Sequence, residues 1–83
     1  PPLTQEYRDQ LIKIIAEKSE NARQALRKQR EDVWNDIQGK VKKRELTEDD
    51  KFKGKSELQK MIDEYNKKIE ERLEKKKTEL QGD

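Results

Sequence analysis

Apolar residues fall at Tyr7, Leu11, Ile14, Ile15, Ala22, Ala25, Leu26, Val33, Ile37 and Val41, with mostly polar residues between them. Steps of three, four and seven trace one face of a helix. The opening Pro1-Pro2-Leu3-Thr4 favours an extended entry, because neither proline can sit inside a helix. Thr4 is a suitable N-cap, and Glu6 puts negative charge in the first turn. The pattern predicts a helix from about residue 5 to about Arg44, a rod of roughly 60 Å at about 1.5 Å per residue.

A second start follows at Leu46-Thr47-Glu48-Asp49-Asp50, where Thr47 caps and three acids complement the helix dipole. Lys42, Lys43 and Arg44 complement the end of the first helix in the same way. The second helix is predicted from about residue 48 to about Leu80. Its face carries Phe52, Leu58, Met61, Ile62, Tyr65, Ile69, Leu73 and Leu80. Gln81-Gly82-Asp83 forms a stop. Gly39 and Gly54 interrupt the helices at similar distances from the turn, predicting either a weak, frayed tip or a close approach of two facing glycines. There is no strand pattern and no internal repeat.

A turn of about residues 45–47 between two long helices makes the fold all-α, a long antiparallel hairpin within one helical unit, residues 1–83. The apolar arc of the first helix is wider than one seam. At about 100° per residue, Ile15, Ala22 and Val33 lie near its centre, Ile14 and Ala25 to one side, Trp34 and Ile37 to the other. Such an arc asks for two neighbours. The expectation is a bundle of three or more helices, completed by a segment outside these residues or by a second copy.

Composition narrows the chemistry. The 83 residues are 28% hydrophobic and 48% charged, so periodicity is the main sign of a fold. With no Cys and no His, disulfides, thiol catalysis, Cys/His metal sites and imidazole chemistry are excluded. Carboxylate pairs such as Asp49/Asp50 and Glu70/Glu71 fall on exposed faces, where nothing raises a pKa. No glycine-rich phosphate loop is present, and no apolar run approaches the roughly 20 residues of a membrane span. The chain reads as non-enzymatic, with no cofactor or metal.

Charge is where the pattern is uneven. The formal net charge is only +2. Residues 1–45 hold 11 basic and 8 acidic side chains, net +3, and residues 46–83 hold 10 and 11, net −1. Within the first helix Arg23, Arg27 and Arg30 stand at i, i+4 and i+7 beside Lys28, with no acid from Arg23 to Arg30. At about 100° per residue the three arginines fall within about 60° of one another, on the flank of the apolar arc. Successive turns are about 5–6 Å apart, close to the spacing of neighbouring phosphates on a strand. Arginine's planar fork suits phosphate. Trp34, one turn on, could stack on a base or on Arg30, or pack on a third helix. The competing reading is a solvated face, with Glu20 pairing Arg23 and Glu31 pairing Arg27.

A resemblance favours the first reading. Pro1-Pro2-Leu3-Thr4 with Glu6 and Arg8 resembles the segment that re-enters the helical domain of ribosome recycling factors. Ala22-Arg23, Leu26-Arg27 and Arg30 match the family's arginine-bearing helix. Glu45-Leu46-Thr47-Glu48-Asp49-Asp50 matches its acidic turn. Leu58-Gln59-Lys60, Asp63 and Lys77-Thr78-Glu79-Leu80 match its last helix. The resemblance implies a three-helix bundle bearing an inserted α/β domain, of which this chain corresponds to the last two helices, with Pro1 and Pro2 at the hinge. It implies binding to rRNA of the large ribosomal subunit, and splitting of the subunits after termination together with elongation factor G and GTP. It implies a cytoplasmic factor, with an organelle left open. It places Arg23, Arg27 and Arg30 toward rRNA, Arg30 most firmly. Two positions depart from the family pattern. Glu31 stands where many members have a second basic residue, and Trp34 has no counterpart role. Apart from the resemblance, a structural coiled-coil module without RNA binding stays open.

Overall fold

The computed structural model of the protein describes residues 4–82, so Pro1 and Pro2, expected at a hinge, lie outside the described residues. Helix α1 spans Gln5–Lys42 and helix α2 spans Glu48–Gln81. They pack antiparallel as a hairpin measuring 64 × 15 × 12 Å. The expected all-α hairpin is what forms. Register holds along its length: Arg8 meets Gln81, Arg23 meets Glu70, and Ile37 meets Gly54.

The caps are built as the sequence predicts. Thr47 Oγ1 accepts from the Asp50 N–H and Asp50 Oδ2 accepts from the Thr47 N–H, both at 3.0 Å, a reciprocal capping box. Hydrogen bonding to Thr47, through its backbone N–H first and its side chain second, holds the Asp50 carboxyl below its ordinary value. At the start of α1, Thr4 Oγ1 accepts from the Tyr7 N–H at 3.1 Å.

The end of α1 differs from expectation. The helix stops at Lys42, two residues early, because Arg44 enters the left-handed region at φ 63°. The Glu45 N–H then donates to the Lys40 carbonyl at 2.9 Å, and the Arg44 N–H to the Val41 carbonyl at 3.0 Å. That is a Schellman closure with arginine where glycine is usual. Arg44 therefore does more than offset a dipole: its backbone makes the turn.

The seam lies to one side of the expected arc. On α1 the half-buried apolar positions include Leu11, Ile12, Ile15, Ala16, Leu26, Trp34, Ile37 and Val41. Ala22 and Val33, expected at the centre, are exposed. Helix α2 has taken the Trp34/Ile37 side of the arc and left the Ile14/Ala25 side bare. Among the described residues the buried hydrophobic side chains are Ile62 and Leu73, both on α2. Phe52, Met61 and Tyr65, expected on the packing face of α2, stand exposed.

Neither glycine frays the tip. Both sit inside continuous helix. They also do not face each other. A Cβ at Gly54 would come within 3.2 Å of Ile37 Cδ1, whereas one at Gly39 would meet nothing within 4 Å. The close approach is thus a glycine of α2 against an isoleucine of α1.

Candidate nucleic-acid interface

The three arginines project from one flank of α1, but their surroundings differ. Arg23 donates to Glu70 across the hairpin and lies 3.6 Å from Glu20. Arg27 donates to Glu20 at 3.0 Å. The partner of Arg27 is thus Glu20 and not the expected Glu31. Glu20 lies seven residues before Arg27 and three before Arg23, so one carboxylate serves both. Arg30 takes part in no ion pair among the described residues and is exposed. Lys28 is apart from all three. It lies about 100° further round the helix than Arg27 and approaches Asp32 at 3.8 Å.

These ion pairs hold their arginines weakly. Exposed pairs contribute about 0–1 kcal/mol, because water screens them and two long side chains must be ordered. A phosphate, offering more acceptor oxygens and more charge, can displace a carboxylate from such a site.

Antiparallel packing brings residues of α2 to the same flank. An open groove of about 450 Å³ is lined by Arg27, Arg30, Glu31, Trp34, Lys55, Leu58 and Gln59. A neighbouring one is lined by Glu20, Arg23, Arg27, Arg30, Ile62 and Asn66. Arg30 borders both. Trp34 does not stack on Arg30. Its ring instead carries the Lys55 ammonium at 5.4 Å and the Lys51 ammonium at 5.8 Å from the centroid. Lys55 and Gln59 are the residues that reading along the chain missed. Reflecting the first helix through the turn would have put residues 55–58 opposite Trp34.

The opposite flank carries most of the exposed large apolar side chains, with the Lys68 ammonium lying over Tyr65. Tyr7, Ile14, Val33, Met61 and Tyr65 keep 45–53% of their surfaces exposed. At about 100° per residue they lie roughly 60–110° to the same rotational side of the seam on each helix. In an antiparallel pair that side opens onto one face. Among the described residues no helix is long and apolar enough to cross a membrane. No acidic, His or Cys cluster there could hold a metal ion.

An elongated hairpin with one bare apolar face and one cationic groove has the form of a helical-bundle interaction module. Its sequence relationships specify which kind. The chain belongs to the ribosome recycling factor family, whose family model matches residues 1–80. It is 44% identical over 80 residues to the ribosome-recycling factor of Vesicomyosocius okutanii subsp. Calyptogena okutanii, covering 96% of this chain and 43% of that protein. It is 36% identical over 80 residues to the ribosome-recycling factor of Natranaerobius thermophilus, covering 96% of this chain and 44% of that one. The chain therefore spans less than half the length of these curated relatives. No solved structure gives a significant match.

Proposed function

We propose that this chain is the rRNA-contacting hairpin of a ribosome recycling factor, acting at the large ribosomal subunit after termination. Arg23, Arg27 and Arg30 supply the contact. The observation that carries this reading is Arg30: a guanidinium free of ion pairs among the described residues, bordering two grooves, in a chain of this family. Arg23 and Arg27 join by exchanging carboxylates for phosphates. Splitting of the subunits, with elongation factor G as partner, belongs to the full-length protein. The role is one of binding, with no catalytic step assigned to this hairpin.

The bare apolar flank fits the same reading. It is the seat of a third helix, supplied by the rest of a full-length factor or, for the hairpin alone, by a second copy. Sedimentation distinguishes a monomer from a self-associated hairpin; a stable, non-associating monomer would remove the need for a third helix.

Arg30→Ala is expected to weaken binding to large ribosomal subunits about tenfold, the size of one lost charge-assisted contact, with helicity unchanged. Wild-type binding should weaken with salt at a slope reflecting about three phosphates. Affinity indifferent to salt, and to Arg30→Ala, would point instead to a purely structural helical module.

A further inference from the structure

Trp34 has no part in the arginine stripe, yet it sits where the groove crosses from α1 to α2. Two ammonium groups, those of Lys55 and Lys51, already lie over its π surface. The ring is also half-buried in the seam. A nucleobase could stack on it only by displacing these cations. The indole instead restricts where the lysines go. Lysine is a point charge on a flexible four-carbon stem, so an aromatic face that attracts its ammonium narrows its range.

The two lysines are not equivalent. Lys51 lies 3.7 Å from Glu48. Lys55 takes part in no ion pair among the described residues, and it borders the same groove as Arg27 and Arg30. One carboxylate, Glu31, shares that groove. With Arg27 paired to Glu20, Arg30 and Lys55 against Glu31 still leave it positive, with charge supplied from both helices.

We propose that Lys55 is a phosphate-binding residue of this groove, and that Trp34 is its positioning residue rather than a stacking platform. A phosphate seated there bridges the helices, meeting the Arg30 fork from α1 and the Lys55 ammonium from α2. Glu31 lowers the affinity of that seat. The inference rests on the rRNA reading above and extends it onto α2, which the arginine stripe does not reach.

The test is a salt series of binding to large ribosomal subunits with the full chain, five single variants, Arg30→Ala, Lys55→Gln, Trp34→Leu, Trp34→Phe and Glu31→Gln, and the Trp34→Leu/Lys55→Gln double variant. Lys55→Gln is expected to weaken binding about fivefold and to lower the salt slope by about one unit, as for one lost phosphate contact. Trp34→Leu should weaken binding in the same direction, Trp34→Phe should restore part of it, and Trp34→Leu should add nothing in a Lys55→Gln background. Glu31→Gln should strengthen binding. Circular dichroism reports whether each variant keeps its helices, and Lys55→Gln, a surface change, keeps the question answerable if Trp34→Leu unfolds. Trp34 is the chain's one tryptophan, so its fluorescence should respond to a single-stranded RNA oligonucleotide and not to polyglutamate. An equal response to polyglutamate would overturn the phosphate assignment. Unchanged affinity and slope in Lys55→Gln, with Arg30→Ala weakened, would overturn this inference and leave the rRNA reading standing. Unchanged binding in Arg30→Ala as well would remove the rRNA reading itself. Additive losses in the double variant would overturn the positioning role of Trp34.

Discussion

The two long flanks of the hairpin are made from the same two helices, yet they have opposite chemistry. One shows Tyr7, Ile14, Val33, Met61 and Tyr65 half-exposed, with no helix against them. The other shows Arg23, Arg27, Arg30 and Lys55 along two adjoining grooves. The difference follows from where the seam lies. Helix α2 covers one side of a wide apolar arc on α1, so the remaining apolar side is left bare and the arginine side is brought up to α2. A bare apolar face is unfavourable in water and asks for cover. A cationic face is well solvated and is stable uncovered, so it can be kept for an anion. On the proposed reading, the apolar flank serves assembly and the cationic flank serves recognition.

Four experiments test this contrast. The largest effect is expected at the seam that divides the flanks. Ile62 is 5% exposed and its neighbour Met61 is 53% exposed. Ile62→Ala should destabilise the hairpin by about 2–5 kcal/mol, and Met61→Ala by less than about 0.5 kcal/mol. Denaturant melts of the two variants compare them directly. An equally large loss at Met61, growing with protein concentration, would mean that the apolar flank is already covered by a second copy.

Next in size is the tip, where both flanks end. Arg44 holds a left-handed conformation that costs a side-chain-bearing residue about 1–2 kcal/mol. Arg44→Gly relieves it but makes the unfolded chain more flexible, so a net gain of about 0.5–1 kcal/mol is expected. A thermal melt would show the gain; a loss would mean that the Arg44 side chain matters more than its backbone.

A smaller effect is expected within the cationic flank. Glu70→Gln frees Arg23 from its cross-hairpin partner. Because such exposed pairs contribute about 0–1 kcal/mol, stability should hardly change. Binding to ribosomal subunits should strengthen by about twofold to threefold, within that same range. Weaker binding would show that Glu70 orients Arg23 rather than competing for it.

The smallest effect concerns acid. Hydrogen bonding to Thr47 lowers the folded-state pKa of Asp50 below its ordinary value of 3.8. A depressed carboxyl stabilises above the unfolded value and loses that contribution as pH falls through the folded one. The first turn of α2 should therefore loosen only in acid, below the ordinary carboxylate range. Helicity followed through an acid titration should show a step that Asp50→Asn lacks. The same step in both proteins would assign it to other carboxylates.

Much of this molecule is legible in its sequence. The 3.6-residue period dictated both helices, and Thr4 and Thr47 with Asp50 marked their starts, because capping needs only residues three positions apart. The all-α hairpin follows from a short connection. The arginine stripe is equally local, since i, i+4 and i+7 must share a face of any helix. The family resemblance, carried by the ordered pieces from Ala22-Arg23 to Lys77-Thr78-Glu79-Leu80, is also a property of the sequence alone.

The remaining features depend on rotation and register between the helices. A wide apolar arc does not say which half receives the partner; packing chose Trp34 and Ile37 and left Val33 in water. The partner of Arg27 turned out to be Glu20, since one carboxylate can reach two guanidiniums on successive turns. Gly54 faces Ile37 rather than Gly39, and Arg44 rather than glycine makes the left-handed turn. Above all, Lys55 reaches Trp34 across 21 residues of sequence (positions 34 and 55). Local periodicity fixes which side chains share a face, whereas contacts between faces form only when two helices lock in register.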